Sequence, residues 1–184
     1  MRRELILHPA FQRPAVTAIA VEVARPTPTS LTLRFTVAGE PRGLRLPPPS
    51  APARTDGLWA HTCFEAFARS SAGDIYYELN IAPSSAWAAY RFDGYRAGMT
   101  PVAAVAPPRF ALRPTPGGFE LEAAFDLIGA LDLPIDGPWR LGASAVIEAA
   151  DGAISYWALA HPPGRPDFHH ADCFALELAA TGQA

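Results

Sequence analysis

The sequence predicts an all-β fold: one antiparallel β-sandwich domain over residues 1–184, immunoglobulin-like or jelly-roll, with about ten to eleven strands and at most one or two short helical turns. The chain holds 20 prolines and 14 glycines, too many for a bundle of long helices. Between proline clusters, apolar and polar side chains alternate with period two, as in strands buried on one face. At 49% hydrophobic residues, the chain can build a full core without metal or disulfide bonds.

Proline clusters mark the predicted loops, because proline lacks the backbone N–H that a strand or helix interior needs. The clusters lie at 26–28, 41, 47–52, 101–108, 114–116, 134–138 and 162–166. The strands predicted between them cover 19–23, 31–37, 62–69, 75–82, 87–92, 119–125, 141–149, 154–159 and 174–178.

Two pairs of these strands are predicted to form hairpins. Strands 62–69 and 75–82 are joined by only five residues. Strands 141–149 and 154–159 are joined across Asp151-Gly152, a pair that favours a tight turn because both central residues of a type I′ turn need positive φ.

Two segments also permit a helical interpretation. Segment 87–92 follows Ser84-Ser85, which could cap a short helix, but its residues alternate and Asp93-Gly94 ends the run, so a strand is favoured. Segment 126–131 is predicted as a single helical turn capped by Asp126.

Composition excludes several classes of function. The chain has 15 basic and 18 acidic residues, a net charge of -3, and therefore no basic field for nucleic acid or an anionic membrane. All basic residues are arginine, so no lysine is present for Schiff-base or phosphate-loop chemistry. No catalytic or nucleotide-binding signature of the Gly-x-Ser-x-Gly or Gly-x-Gly-x-x-Gly type occurs.

A cytoplasmic location is expected. The apolar run near the N-terminus is too short for a secretory signal, and no run of 18 apolar residues is present. Cys63 and Cys173 are too far apart for a CxxC motif, and in the cytoplasm they are expected to stay reduced and structural. The oligomeric state is left open.

Two neighbouring strands carry polar side chains on predicted common faces. If the strand pattern extends back to Trp59, then Trp59, His61, Cys63 and Glu65 lie on one face. In the next strand Tyr76, Glu78 and Asn80 share a face, and hairpin pairing would place Glu65 and Glu78 on the same side of the sheet. A pair of carboxyl groups is compatible with glycoside cleavage, although the surrounding residues contain no second motif for hydrolysis.

A third polar group lies in the proline-rich segment 161–170, which holds three of the five histidines. His169 and His170 are adjacent and would point apart in an extended chain, so both could bind one metal only across a turn. No metal-binding motif is present, and we predict no metal site.

Aromatic and polar residues together suit a sugar, which stacks its C–H face on rings and hydrogen-bonds through its hydroxyls. The residues of these types are Trp59, Tyr76, Trp87, Tyr90, Tyr95, Trp139 and Trp157, with Glu65, Glu78, Asn80, Arg91 and Arg96.

The segments 58–67 (LWAHTCFEAF), 76–96 (YYELNIAPSSAWAAYRFDGYR), 154–162 and 166–170 resemble DOMON-like domains related to the family 9 carbohydrate-binding modules, a bacterial group of stand-alone and largely uncharacterised proteins. The resemblance covers about residues 15–180. It implies a β-sandwich that binds a sugar or haem in a pocket at one sheet, without catalysis. It also implies that Trp59, Glu65, Glu78 and Asn80 belong to that pocket.

The resulting hypothesis is a non-catalytic module that binds a small molecule, a carbohydrate or related polyol, and needs no cofactor. Two alternatives stay open: a haem or redox protein that uses Met99 with His61, His161 or His169, and a glycoside-acting enzyme that uses Glu65 and Glu78. The predicted ligand-binding residues are Trp59, His61, Glu65, Tyr76, Glu78, Asn80, Trp87, Arg91, His161, Asp167 and His169.

Overall fold

A computed structural model describes residues 1–12, 15–130 and 132–181. Twelve strands are found there: β1 (Arg2–Leu7), β2 (Val16–Ala24), β3 (Ser30–Gly39), β4 (Cys63–Ser70), β5 (Tyr76–Ile81), β6 (Trp87–Phe92), β7 (Thr100–Pro101), β8 (Arg109–Thr115), β9 (Gly118–Asp126), β10 (Trp139–Glu148), β11 (Ile154–Ala158) and β12 (Leu176–Leu178). Three single 3-10 turns accompany them: Pro41–Gly43, Leu58–Ala60 and Ala171–Cys173. The all-β prediction is confirmed.

All strand pairs are antiparallel, and they form two layers that share one strand. Sheet A has the order β1-β2-β3-β9-β8, and sheet B has the order β7-β6-β5-β4-β10-β11-β1, with β12 beside the start of β10. The shared strand changes sheet along its length, because Arg2–Leu5 pairs with β2 whereas Ile6 and Leu7 pair with β11. The predicted hairpins β4–β5 and β10–β11 are both present.

The sandwich core lies between the inner faces of the two sheets. Phe35 of sheet A and Phe64 of sheet B are fully buried, and their ring centroids are 4.9 Å apart. Leu79, Leu121 and Trp139 belong to the same cluster. Burial of large apolar side chains on both inner faces is the main force that holds the layers together.

Three local predictions are wrong. The strand pattern does not extend back to Trp59: Leu58–Ala60 is a 3-10 turn that follows Gly57 at φ 73°, and β4 begins only at Cys63. Residues 126–130 form no helical turn; the Asp126 carboxylate instead accepts a hydrogen bond from the Ile128 N–H, and Leu131 lies outside the described residues. Pro114 lies inside the strand β8, which is tolerated because β8 is an edge strand.

A second apolar cluster lies on the outer face of sheet B. Its members are Phe67, Tyr76, Ala88, Tyr90, Phe92, Val146, Ala158, Phe168 and Phe174. The last two come from the segment 160–175, which we call the covering segment; it folds over the sheet and includes the turn Ala171–Cys173. Cys63 and Cys173 are free thiols, both buried. Within the part of the chain that the structure describes, no helix is long and apolar enough to cross a membrane.

Candidate functional site

A cavity of about 470 Å³ lies between the outer face of sheet B and the covering segment. This volume falls within the range of roughly 300–1,000 Å³ that is typical of small-molecule sites. Its polar lining residues are Glu65, Glu78, Arg96 and His169. Its other lining residues are Trp59, Phe92, Met99, Val146, Tyr156, Pro166 and Phe168.

Two glutamates form the polar floor of the cavity. Glu65 of β4 pairs in register with Asn80 of β5, and Glu78 precedes Asn80 by two residues, so all three side chains lie on the outer face. Glu65 is 3% exposed and Glu78 is 4% exposed. The prediction that Glu65 and Glu78 share a face is confirmed by this register.

Neighbouring side chains hold each carboxyl group by one oxygen. The Ser144 hydroxyl donates to Glu65 Oε2 at 3.1 Å, and Asn80 Nδ2 donates to Glu78 Oε1 at 2.7 Å. Burial raises the pKa of Glu78, and burial together with the nearby charge of Glu78 raises the pKa of Glu65 well above its usual range. The Arg96 charge opposes both shifts without cancelling them.

Arg96 connects the loop after β6 to the covering segment. Its Nε and Nη2 donate to Asp167 Oδ1 at 3.2 and 2.8 Å, and the Tyr95 hydroxyl donates to the other Asp167 oxygen. Burial alone would raise the pKa of Asp167, but the hydrogen bonds from Tyr95 and Arg96 outweigh it, so this pKa is lowered. Asp167 therefore stays a carboxylate that neutralises Arg96.

His169 is neutral in this environment, because burial and the Arg96 charge lower its pKa to about 4. The Tyr76 hydroxyl accepts a hydrogen bond from the Arg96 backbone N–H at 3.2 Å and lies 2.7 Å from His169 Nδ1, to which it can donate. That arrangement leaves the Nε2–H on the side of Glu78, whose Oε2 is 3.7 Å away, too far for a hydrogen bond.

Aromatic rings line the rest of the cavity. The ring of Phe92 stacks in parallel on Tyr76, with ring centroids 4.6 Å apart. The ring centroids of Tyr156 and Phe168 are 6.0 Å apart. Trp59 is 41% exposed and contacts Tyr90 edge-on at 5.9 Å. Because Trp59 lies on a turn, it reaches the cavity from the rim and not from the strand that carries Glu65.

Four residues predicted for the site lie elsewhere, and we leave them out of it. Trp87 lies on the inner face of β6, in the core and under the Arg54 guanidinium. Arg91, on the same side of β6, donates to Asp132 at 2.7 Å. His61 lies 2.7 Å from Glu148, and His161 Nε2 donates to the Ile6 carbonyl at 2.8 Å.

Three other predicted residues hold the lining residues in place. Tyr76 positions His169, Asn80 holds Glu78, and Asp167 holds Arg96. The predicted ligand-binding residues do not include seven that line the cavity: Phe92, Arg96, Met99, Val146, Tyr156, Pro166 and Phe168. The alternation of β6 and β11 could have placed Phe92 and Tyr156 on the outer face, whereas Phe168 and Arg96 depend on loops whose path has no periodic signal.

Potential metal and haem ligands are sparse. Within residues 1–12, 15–130 and 132–181, no group of three or more His, Cys, Asp or Glu side chains could hold a metal ion. Of the residues considered for haem, Met99 and His169 line the cavity, and His61 and His161 do not.

No protein-family model matches the chain, and no curated protein matches it. Among solved structures, a candidate carbohydrate-binding protein from Bacteroides uniformis aligns with a TM-score of 0.59 and 14% identity, over 85% of this chain and 75% of the other. At this identity the alignment shows a shared fold.

Two structures of a family 9 carbohydrate-binding module from Caldicellulosiruptor kristjanssonii align more weakly. The complex with glucose has a TM-score of 0.47 at 15% identity, over 80% of this chain and 69% of the other. The complex with cellotriose has a TM-score of 0.43 at 13% identity, over 80% and 67%. The relation to DOMON-like proteins stays a prediction.

Proposed function

We propose that this protein binds a small carbohydrate or a related polyol in the cavity of sheet B and does not transform it. The observation that carries the proposal is the lining of the cavity, where aromatic faces and hydrogen-bonding groups occur together. Sugars present apolar C–H faces and polar hydroxyl edges, and protein sites of this mixed lining match both.

The polar groups match the hydroxyl groups of a sugar. Glu65 and Glu78 can accept hydrogen bonds, and His169 and Arg96 can donate them. Most of these groups are held by second residues, namely Ser144, Asn80, Tyr76 and Asp167, so a ligand would meet an ordered surface. Preorganised groups lower the entropy cost of binding.

The fold neighbour from Bacteroides uniformis is itself described as a candidate carbohydrate-binding protein, which agrees with the proposal.

Calorimetric titration of the purified protein with glucose, glucosamine and cellobiose tests this proposal. Trp59→Ala removes a rim side chain that is 41% exposed, so we expect it to weaken sugar binding at least tenfold without unfolding the protein. The matched control is Ile135→Ala, which removes an apolar side chain that is 61% exposed and far from the cavity lining.

Binding of a sugar that is lost in Trp59→Ala and kept in Ile135→Ala would support the proposal. Absence of binding by all three sugars, or equal binding by both variants, would overturn it. A parallel titration with haem, read as a Soret band that disappears in a His169→Ala variant, would support the haem alternative instead.

A further inference from the structure

The carboxyl groups of the cavity floor form no ion pair with an arginine in the part of the chain that the structure describes. Arg96 is the only arginine that lines the cavity among the described residues, and its Nε and Nη2 both donate to Asp167. Within the described ranges, neither Glu65 nor Glu78 forms an ion pair with an arginine. The Arg96–Asp167 pair is therefore neutral as a unit, and the Arg96 charge only partly offsets the burial of the two floor carboxyl groups.

Each floor carboxyl group also keeps one oxygen for a ligand. Ser144 and Asn80 use Glu65 Oε2 and Glu78 Oε1. In the part of the chain that the structure describes, no donor lies within hydrogen-bond distance of Glu65 Oε1 or Glu78 Oε2. Both side chains are more than nine-tenths buried and line the cavity, so these two oxygens are free to accept hydrogen bonds from a bound molecule.

We propose that the ligand of this cavity carries a primary ammonium group, as an amino sugar does, and that this group binds at Glu65 and Glu78. The inference rests on the proposed function and specifies its ligand class. An ammonium group has three donors and no acceptor, which matches a floor made of acceptors. The rings of Trp59, Phe92, Tyr156 and Phe168 add negative faces that attract a cation.

An ammonium group would also resolve the electrostatic cost of the buried pair. Burial raises the pKa of Glu65 and Glu78 because their charged forms lack solvation and a partner. A bound cation supplies that partner, so the carboxyl groups ionise and protons leave the protein on binding. A neutral sugar supplies no such charge and leaves the protonation of the pair nearly unchanged.

Several other titratable or charged groups face the pair and have to be considered as sources of the released protons. These are Tyr76, Tyr90, Arg96, Asp167, His169 and the thiol of Cys63. His169 is already neutral, Arg96 is paired with Asp167, and burial raises the pKa of Tyr76 to about 12. We therefore assign the released protons to the two floor carboxyl groups, Glu65 and Glu78.

The test is a calorimetric comparison of glucosamine, glucose and N-acetylglucosamine at pH 6.5. Glucosamine and N-acetylglucosamine share one skeleton, but acetylation removes the charge. We expect glucosamine to bind at least tenfold more tightly than the other two. Repeating the titration in buffers of different ionisation enthalpy should show proton release for glucosamine alone.

Glu65→Gln and Glu78→Gln keep the shape of each side chain and remove its charge. We expect each variant to lose the preference for glucosamine, measured as the ratio of its affinity to that of glucose. The control Glu120→Gln removes a carboxylate from the outer face of sheet A and should keep the preference. If a variant fails to fold, the relative affinities of the three sugars for the unaltered protein still test the ammonium site.

Equal binding of the three sugars, or preference for glucosamine without proton release, would overturn the ammonium site and leave sugar binding in place. Failure of all three sugars to bind would overturn the proposed function, and the ammonium site with it.

Discussion

The outer faces of the two sheets carry similar residues in different surroundings. On sheet A, Arg34 pairs with Glu122 at 3.1 Å and with Glu22 at 3.5 Å, and all three side chains are at least 30% exposed. On sheet B, Glu65 and Glu78 occupy equivalent outward positions but are almost fully buried. Arg34 has charged partners at a solvated surface, whereas the sheet B carboxyl groups are buried and, within the described residues, form no ion pair with an arginine.

The covering segment makes this difference. It places Phe168 and His169 over sheet B, and Asp167 fastens it to Arg96. Among the residues that the structure describes, no comparable segment covers β3 and β9, whose outward residues are partly exposed. Alternation in a strand therefore indicates that one face of the sheet is apolar. Whether the polar residues of the opposite face are solvated or form a site depends on the segment that covers that face.

The largest expected difference between the two faces is in packing. Phe67→Ala removes an outward ring that is 1% exposed and contacts His169, Tyr76 and Phe174, so we expect a loss of about 3–5 kcal/mol of unfolding free energy. Thr36→Ala, outward on sheet A, should cost about 0.5 kcal/mol or less. Urea unfolding measures both. Similar losses of unfolding free energy for Phe67→Ala and Thr36→Ala would mean that the covering segment does not pack tightly on sheet B.

A second expected difference concerns pH. The folded-state pKa of Glu65 is raised, so its favourable contribution to stability is complete below the unfolded value of about 4.5 and is lost as pH rises through the folded pKa. Each unit of difference corresponds to about 1.4 kcal/mol. The protein should therefore lose stability relative to Glu65→Gln as pH rises above about 4.5, measured by urea titrations at successive pH values. A gap that stays constant over this range would contradict the burial of an unpaired carboxyl group.

The smallest expected effect lies on sheet A. A double-mutant cycle of Arg34→Ala and Glu122→Gln should give a coupling of about 1 kcal/mol or less, because both side chains are partly solvated. The coupling should also fall as salt is added. A coupling well above 1 kcal/mol that does not change with salt would contradict this prediction, because it would mean that the pair is shielded from solvent.

Strand order within hairpins was predictable from sequence, because short loops force neighbouring strands to pair. The shared face of Glu65 and Glu78 followed from that pairing. Trp87 shows the limit of this reasoning. Alternation separates the residues of β6 into two faces, but it does not indicate which face packs against sheet A, and Trp87 lies on that inner face.

Long-range contacts were not predictable. Arg96 and Asp167 are 71 residues apart, and their pairing depends on the path of two loops without periodic pattern. Trp59 lines the cavity, but it reaches the cavity from a turn and not, as predicted, from the strand that carries Glu65. Irregular backbone contributes much of this site, and sequence periodicity describes only regular backbone.

The strand shared by the two sheets has a consequence for how the chain folds. Leu7 of β1 pairs with Trp157 of β11, so β1 cannot complete its pairing in sheet B until this much later strand has been synthesised. Contacts of such sequence separation slow folding, because the loop entropy is lost before the contact forms. On the ribosome, β1 can join β2 early, but the cavity wall that contains Tyr156 is completed only after β11 has emerged.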